Sequence, residues 1–184
     1  MQNIDRRIKY ILFDQKTLES KITELSDWVN STYEKIDDDL IIVGLLKGSL
    51  PFLAQLIKTV KVDFLLDFMI LSSYDGKEHS SGSVKVVLDL ANDIKNKNVL
   101  IVEDIIDTGR TMQKVVNLLQ SRNPKSLKVL TLLNKPSGRK VDFEPDNFGF
   151  IIKNEFVVGF GFDWKEKMRQ LPYIGVLKDE EFKK

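Results

Sequence analysis

Val99-Leu-Ile-Val-Glu-Asp-Ile-Ile-Asp-Thr-Gly-Arg-Thr-Met112 decides how this 184-residue chain is read. It opens with an apolar, β-branched run, Val99 to Val102, of the kind that forms a strand buried on both faces. Glu103 and Asp104 follow where that strand is expected to end. Asp107-Thr-Gly-Arg-Thr111 then makes a short polar loop, and Met112, Val115, Val116 and Leu119 recur behind it at helical spacing. The order is strand, acidic pair, small-residue loop, helix. A helix N-terminus presents unpaired N–H groups and a partial positive charge, which suits a phosphate. Gly109 allows the backbone close to an anion, and the Thr108 and Thr111 hydroxyls add donors. Acids at the carboxyl end of a parallel strand stand where open α/β sheets bind ligands. They repel phosphate oxygens and suit sugar hydroxyls or a metal-bound ligand.

The surrounding chain repeats this alternation. Residues 8–13 read as a short edge strand, with Asp14 as an N-cap. Leu18, Ile22, Leu25 and Val29 mark one face of a helix reaching about Glu34. Asp37-Asp-Asp39 reads as a solvated turn, because three consecutive acids do not converge on a cation. Leu40 to Leu46 is a buried strand ending in Lys47-Gly-Ser49, and Pro51 stands in the first turn of the next helix. Phe52, Leu53, Leu56, Ile57 and Val60 give that helix its apolar face. By spacing alone, Lys47 serves equally as an anion site or a solvated charge. Asp63 to Leu71 and Val84 to Leu88 read as a β-ribbon around a polar tip, residues 72–83. The sole histidine, His79, is expected at its surface. Leu127 to Leu133 is another buried strand. Successive strand–helix–strand crossovers imply an α/β fold, a mostly parallel sheet flanked by helices on both faces. A small subdomain is expected from Asp142 onward, joined by the N-terminal segment. The tail, residues 178–184, is expected to fray.

Composition narrows the function classes. A net charge of +1 creates no global field for nucleic acid or an acidic membrane surface. The absence of cysteine removes disulfide and thiolate chemistry. No apolar run approaches a membrane span, and the N-terminus does not read as a signal peptide. A single cytoplasmic domain over residues 1–184 is the expectation. There is no Walker A sequence, and Gly159-Phe-Gly161 lacks the third glycine of a dinucleotide fingerprint.

Val102-Glu-Asp-Ile-Ile-Asp-Thr-Gly-Arg-Thr111 resembles the phosphoribosyl-diphosphate (PRPP) loop of type I phosphoribosyltransferases, in the form found in the hypoxanthine–guanine branch. Further stretches match in the family's order from about Ile41 to Leu171. Leu46-Lys47-Gly48 is similar to its pyrophosphate loop, whose Leu–Lys peptide tends to be cis. Ser73-Tyr74 resembles its flexible hood. Leu132-Leu-Asn-Lys135, with Arg139 four residues on, is similar to its purine-reading strand end. Phe156-Val-Val-Gly-Phe-Gly-Phe-Asp163 resembles its purine subdomain, although Trp164 and Lys165 depart from the commoner pattern.

The resemblance implies a set of roles. Asp107, Thr108, Gly109, Arg110 (through its N–H alone) and Thr111 would hold the 5′-phosphate, with Glu103 and Asp104 on the ribose diol. Lys47, Gly48 and Arg169 would bind pyrophosphate. Lys135 would donate to O6 of a 6-oxopurine, and Arg139 would reach toward the ligand. Phe156, which could otherwise be core, would stack on the base, and Val157 would read its edge. Asp163 would lie beside the base and, with Glu103 and Asp104, associate with Mg²⁺. Asp107 is the candidate base near N7. The implied reaction transfers phosphoribose from PRPP to hypoxanthine or guanine, in a homodimer or homotetramer that touches neither nucleic acid nor membrane. A competing reading is a PRPP- or nucleotide-sensing regulator of the same fold, which would call for a basic face or an added DNA-binding segment. A transferase for another base is the third, against which Lys135 and the Phe156 stretch speak.

Overall fold

The computed structural model describes residues 4–36, 38–73 and 84–183. Asp37 and residues 74–83 of the expected ribbon tip, with Tyr74 and His79, lie outside the described residues, while residues 72 and 73 belong to β3. In chain order the elements are β1 (Ile8–Phe13), α1 (Gln15–Tyr33), β2 (Leu40–Leu46), α2 (Leu50–Leu56), β3 (Leu65–Ser73), β4 (Val84–Leu88) and β5 (Asn98–Ile106). There follow α3 (Arg110–Gln120), β6 (Ser126–Asn134), β7 (Asn147–Ile151), β8 (Val157–Val158) and β9 (Ile174–Leu177).

Six strands form one sheet in the order β4-β3-β2-β5-β6-β7. All neighbouring pairs are parallel except β3 with β4. The period-two alternation of the strands feeds two cores. Leu40, Ile42, Leu100, Val102 and Leu130 point to the face covered by α1 and α2, where Leu18, Ile22, Leu25, Phe52 and Leu53 pack. Ile41, Val43, Val99, Ile101 and Val129 point to the opposite face, against Met112, Val115 and Leu119 of α3. The central strands are apolar throughout because both faces are covered. Asp14 caps α1 as expected, accepting from the Thr17 N–H at 2.8 Å.

β1, β9 and β8 form a second, antiparallel sheet in that order. This small subdomain, called the hood below and distinct from the Ser73-Tyr74 segment, rests on the main core through Val157, Phe160 and Phe162. Phe13 of β1 stacks on Phe150 of β7, with centroids 4.0 Å apart.

Three expectations are corrected. β5 does not end at the acidic pair: it continues through Ile106, because Ile105 and Ile106 keep pairing with Leu133 and Asn134 of β6. Residues 147–151 do not belong to the small subdomain that was expected from Asp142. They run parallel to β6 as the edge strand of the main sheet, and Phe150 packs onto its core. The tail does not fray over its described residues. Asp179–Lys183 forms a 3₁₀ turn, and Phe182 packs on Phe156 and Trp164.

Candidate active site

Lys47, Asp107 and Lys135 each follow the last residue of a strand, and those strands (β2, β5 and β6) are neighbours. The sheet thus delivers three functional side chains to one edge, where open α/β sheets bind ligands. Register holds them there: Lys135 N donates to Ile106 O at 3.0 Å, continuing the β5–β6 ladder past its end.

A cleft of about 170 Å³ opens over the turn from β5 to α3. It is lined by Glu103, Ile105, Ile106, Asp107, Thr108, Gly109, Thr111 and Met112. Gly109 caps α3 at φ 77°, a left-handed conformation that glycine adopts without steric penalty. The first N–H groups of α3 have no partner within the helix and face an anion-sized space. Arg110 is not among the lining residues, and its N–H donates to Thr108 Oγ1 at 3.4 Å.

A second cleft, about 270 Å³, joins the sheet edge to the hood. Asp104, Ile105, Asp107, Lys135, Glu155, Phe156, Val157, Phe162, Asp163 and Arg169 line it. One wall is apolar, Ile105 opposite the hood residues Phe156 and Val157, which suits a flat heterocycle. Lys135 is buried, and its Nζ lies 3.1 Å from Oδ2 of the half-exposed Asp107.

The acidic pair is electrostatically crowded. Burial, and then the neighbouring Asp104 carboxylate, push Glu103 well above the ordinary carboxyl range. Asp104 is also raised by burial, against the Ile105 N–H that donates to its Oδ1 at 2.7 Å. Among the described residues, Oε2 of Glu103 is enclosed without a hydrogen-bond partner. An enclosed acceptor beside a second carboxylate fits a cation or a pair of hydroxyl donors. The Lys47–Gly48 loop presses on this pair: a Cβ on Gly48 would stand 1.6 Å from Oδ2 of Asp104. The Leu46–Lys47 peptide is cis, as the resemblance implied.

Asp163 does not join the acidic pair in a cluster. Its Oδ1 lies 2.8 Å from Arg169, and its Oδ2 accepts from the Glu166 N–H at 2.8 Å. Among the described residues no three acids or histidines converge on a metal-sized site. The three expected metal-associated acids therefore do not form one cluster, although Asp104 and Asp163 line the same cleft. Arg139 is corrected as well. Its Nε donates to Phe143 O, and one terminal nitrogen donates to Ile106 O and Asp107 O at 2.7 and 2.5 Å. The other terminal nitrogen donates to Asn134 Oδ1. With its donors turned onto backbone and Asn134, the guanidinium braces the ends of β5 and β6 and does not reach toward the cleft.

Sequence reasoning missed Ile105, Glu155 and Glu166. Ile105 lines both clefts, and the extension of β5 beyond Asp104 was the signal for it. Glu166 joins two cations that the sequence holds far apart: Oε2 lies 2.8 Å from Lys47 Nζ and Oε1 lies 3.2 Å from Arg169. The Lys47 hydrogen bond lowers the Glu166 carboxyl below its ordinary range. No local pattern announces such a bridge.

Known proteins match both sequence and architecture. The family model for the phosphoribosyl transferase domain matches residues 11–165. A hypoxanthine-guanine phosphoribosyltransferase of Lactococcus lactis is 46% identical over 183 residues, covering 100% of this chain and 98% of its own. One from Bacillus subtilis is 44% identical over 171 residues, covering 93% of this chain and 94% of its own. A crystal structure of a Staphylococcus aureus hypoxanthine phosphoribosyltransferase superposes with a TM-score of 0.90 at 43% identity, over 96% of this chain and 95% of that one.

Proposed function

We propose that this chain, which belongs to the phosphoribosyl transferase family, is a purine salvage enzyme that joins hypoxanthine or guanine to the phosphoribosyl group of PRPP, releasing pyrophosphate. One observation carries the reading. A buried lysine and an aspartate, at the ends of adjacent strands, face a cleft walled by Ile105, Phe156 and Val157, and an anion-sized cleft at a helix N-terminus lies beside it.

The roles are those that the resemblance implies, and the geometry supports them. The turn from Asp107 to Thr111 holds the 5′-phosphate through N–H groups of α3 and the threonine hydroxyls. Glu103 and Asp104 take the ribose hydroxyls. Fixing the sugar at both places leaves the anomeric carbon to move between leaving pyrophosphate and incoming nitrogen, along one axis. Lys47, the Gly48 N–H and Arg169 receive pyrophosphate. Their bridge to Glu166 opens as the diphosphate takes its place. The base lies against Phe156, with Val157 at its edge and Asp163 beside it. Lys135 donates to O6, where charge develops, and Asp107 accepts or shares the proton near N7. The unpartnered oxygen of Glu103 supports Glu103 and Asp104 as the side chains that would hold Mg²⁺. When bound, Mg²⁺ neutralises charge on the departing pyrophosphate.

A lysine donates but cannot accept, so the amino group of adenine would meet a donor and leave Lys135 unsatisfied. PRPP is a polyanion that does not cross a bilayer unaided, which supports a cytoplasmic enzyme. Leu65, Leu66, Val87 and Leu88, all exposed on the β3–β4 edge, support association into a dimer or tetramer.

The deciding assay supplies PRPP, Mg²⁺ and each of hypoxanthine, guanine, xanthine and adenine, and follows nucleotide formation. Turnover with hypoxanthine or guanine and little with adenine is expected. Nucleotide from none of the 6-oxopurines rejects the enzymatic reading and returns the chain to ligand sensing. Adenine turnover equal to that of hypoxanthine removes the role given to Lys135.

A further inference from the structure

Phe156 stands between two clefts. On one side is the proposed purine cleft. On the other is a cleft of about 390 Å³, lined by Lys9, Tyr10, Asp179 and Phe182 among others. Phe182 lines only the second, which shares Lys135, Glu155 and Phe156 with the first, so its ring packs on Phe156 without itself lining the purine cleft. Its ring lies edge-to-face with Phe156, centroids 5.3 Å apart at 86°. Trp164 completes the cluster, 5.3 Å from Phe156 at 84° and 5.1 Å from Phe182 at 71°. Edge-to-face pairs are attractive because a ring's positive rim meets the negative face of its neighbour.

This herringbone leaves Phe156 41% exposed while holding its plane on two sides. Phe156 stands one residue before a two-residue strand, and these two rings are the aromatic contacts that fix its half-exposed side chain. Phe182 is itself held in place. The 3₁₀ turn that carries it is tied to the N-terminal strand by Lys178 N donating to Arg7 O at 3.0 Å. Within the turn, Glu181 N donates to Lys178 O at 3.0 Å, and Lys9 lies 3.5 Å from Asp179.

We propose that Phe182 is a positioning residue for the purine: the C-terminal turn presses it onto Phe156 and Trp164, pre-setting the plane on which the base stacks. This rests on the reading of Phe156 as the stacking residue. Pre-setting the plane removes an ordering penalty from base binding and nothing from PRPP binding.

The test measures KM for hypoxanthine and for PRPP, with kcat, in the full-length protein and in Phe182→Ala, Phe182→Tyr and Phe156→Ala. Phe182→Ala should raise the hypoxanthine KM by roughly three- to tenfold, the loss of one or two aromatic pairs. The PRPP KM should stay the same, kcat should change less than about twofold, and Phe182→Tyr should restore the hypoxanthine KM. Phe156→Ala raising the hypoxanthine KM while Phe182→Ala leaves it unchanged overturns this inference and keeps the stacking reading. Phe156→Ala without effect overturns both. A rise in both KM values with Phe182→Ala, unrescued by tyrosine, marks a general structural role and also overturns it.

Discussion

Nζ of Lys135 lies 3.1 Å from Oδ2 of Asp107, so the proposed donor to the base and the proposed proton acceptor hold one another before any ligand arrives. The pair satisfies a lysine that is only 7% exposed. On the proposed roles, O6 would replace the carboxylate on Lys135 and free Asp107 to face N7. Asn in place of Asp107 keeps an oxygen for Lys135 but cannot take a proton. Asp107→Asn should therefore lower kcat by about 10²–10⁴-fold, the usual span for a general base. PRPP binding, followed by isothermal titration, should persist. Turnover near the parent's would exclude Asp107 as the base.

Glu166 pairs with Lys47 and Arg169, the cations proposed to receive the diphosphate. Both ion pairs are exposed at the acid, where such pairs contribute little and are screened by salt. Glu166→Gln should lower the KM for PRPP about two- to fivefold at low ionic strength, with the difference shrinking as salt is added. Steady-state kinetics at two salt concentrations would decide. A raised KM would instead make Glu166 a support for the two cations.

Gly48 lies against Asp104 so closely that a methyl group has no room: its Cβ would stand 1.6 Å from Oδ2 and 2.7 Å from Cγ. Gly48→Ala must displace either the pyrophosphate loop or the acidic pair. A displacement of an ångström in a reacting constellation costs about 10²-fold in rate, so kcat/KM for PRPP should fall by at least that factor. Circular dichroism should show the fold retained. Parent-like kinetics would mean that the two segments are not held in register.

Asp67, 6% exposed on β3, anchors the segment leading into β5. It accepts from Phe68 N at 2.8 Å, Ala91 N at 3.3 Å, Asn92 N at 2.9 Å and Asn92 Nδ2 at 2.8 Å. Burial raises its carboxyl, but the hydrogen bonds outweigh burial and set it below the ordinary 3.8. A depressed folded value means that Asp67 contributes its full stability above the unfolded value and loses it as pH falls through the folded one. At neutral pH, Asp67→Asn should cost about 1–3 kcal/mol, because an amide donor would face N–H donors. That corresponds to a fall in Tm of about 3–10 °C for a chain of this size. The gap between parent and variant should close below about pH 4, as the parent's carboxylate protonates. Thermal melts from pH 3 to pH 7 would check it, and a gap independent of pH would refute the assignment of a charged Asp67.

Local sequence determined much of this protein. Strands buried on both faces announce themselves as unbroken apolar runs, so β2, β5 and β6 were legible. So were the strand ends where Lys47 and Lys135 stand, and the phosphate-suited turn at Gly109, whereas β5 runs past its expected end to Ile106. Asp14 was readable as a cap because capping acts over three residues.

What the sequence could not decide is how groups far apart in it share space. Arg139 turned inward because carbonyls of Ile106 and Asp107 lie within its reach only once β5 and β6 are paired. Asp163 is held by Arg169 and the Glu166 N–H, partners that no local pattern assigns to it. The tail docked because Phe156 and Trp164 offered Phe182 two ring faces at the hood. Periodicity encodes which face of an element is apolar; it carries no record of which distant partner satisfies a charge or covers a ring, and only tertiary packing supplies that.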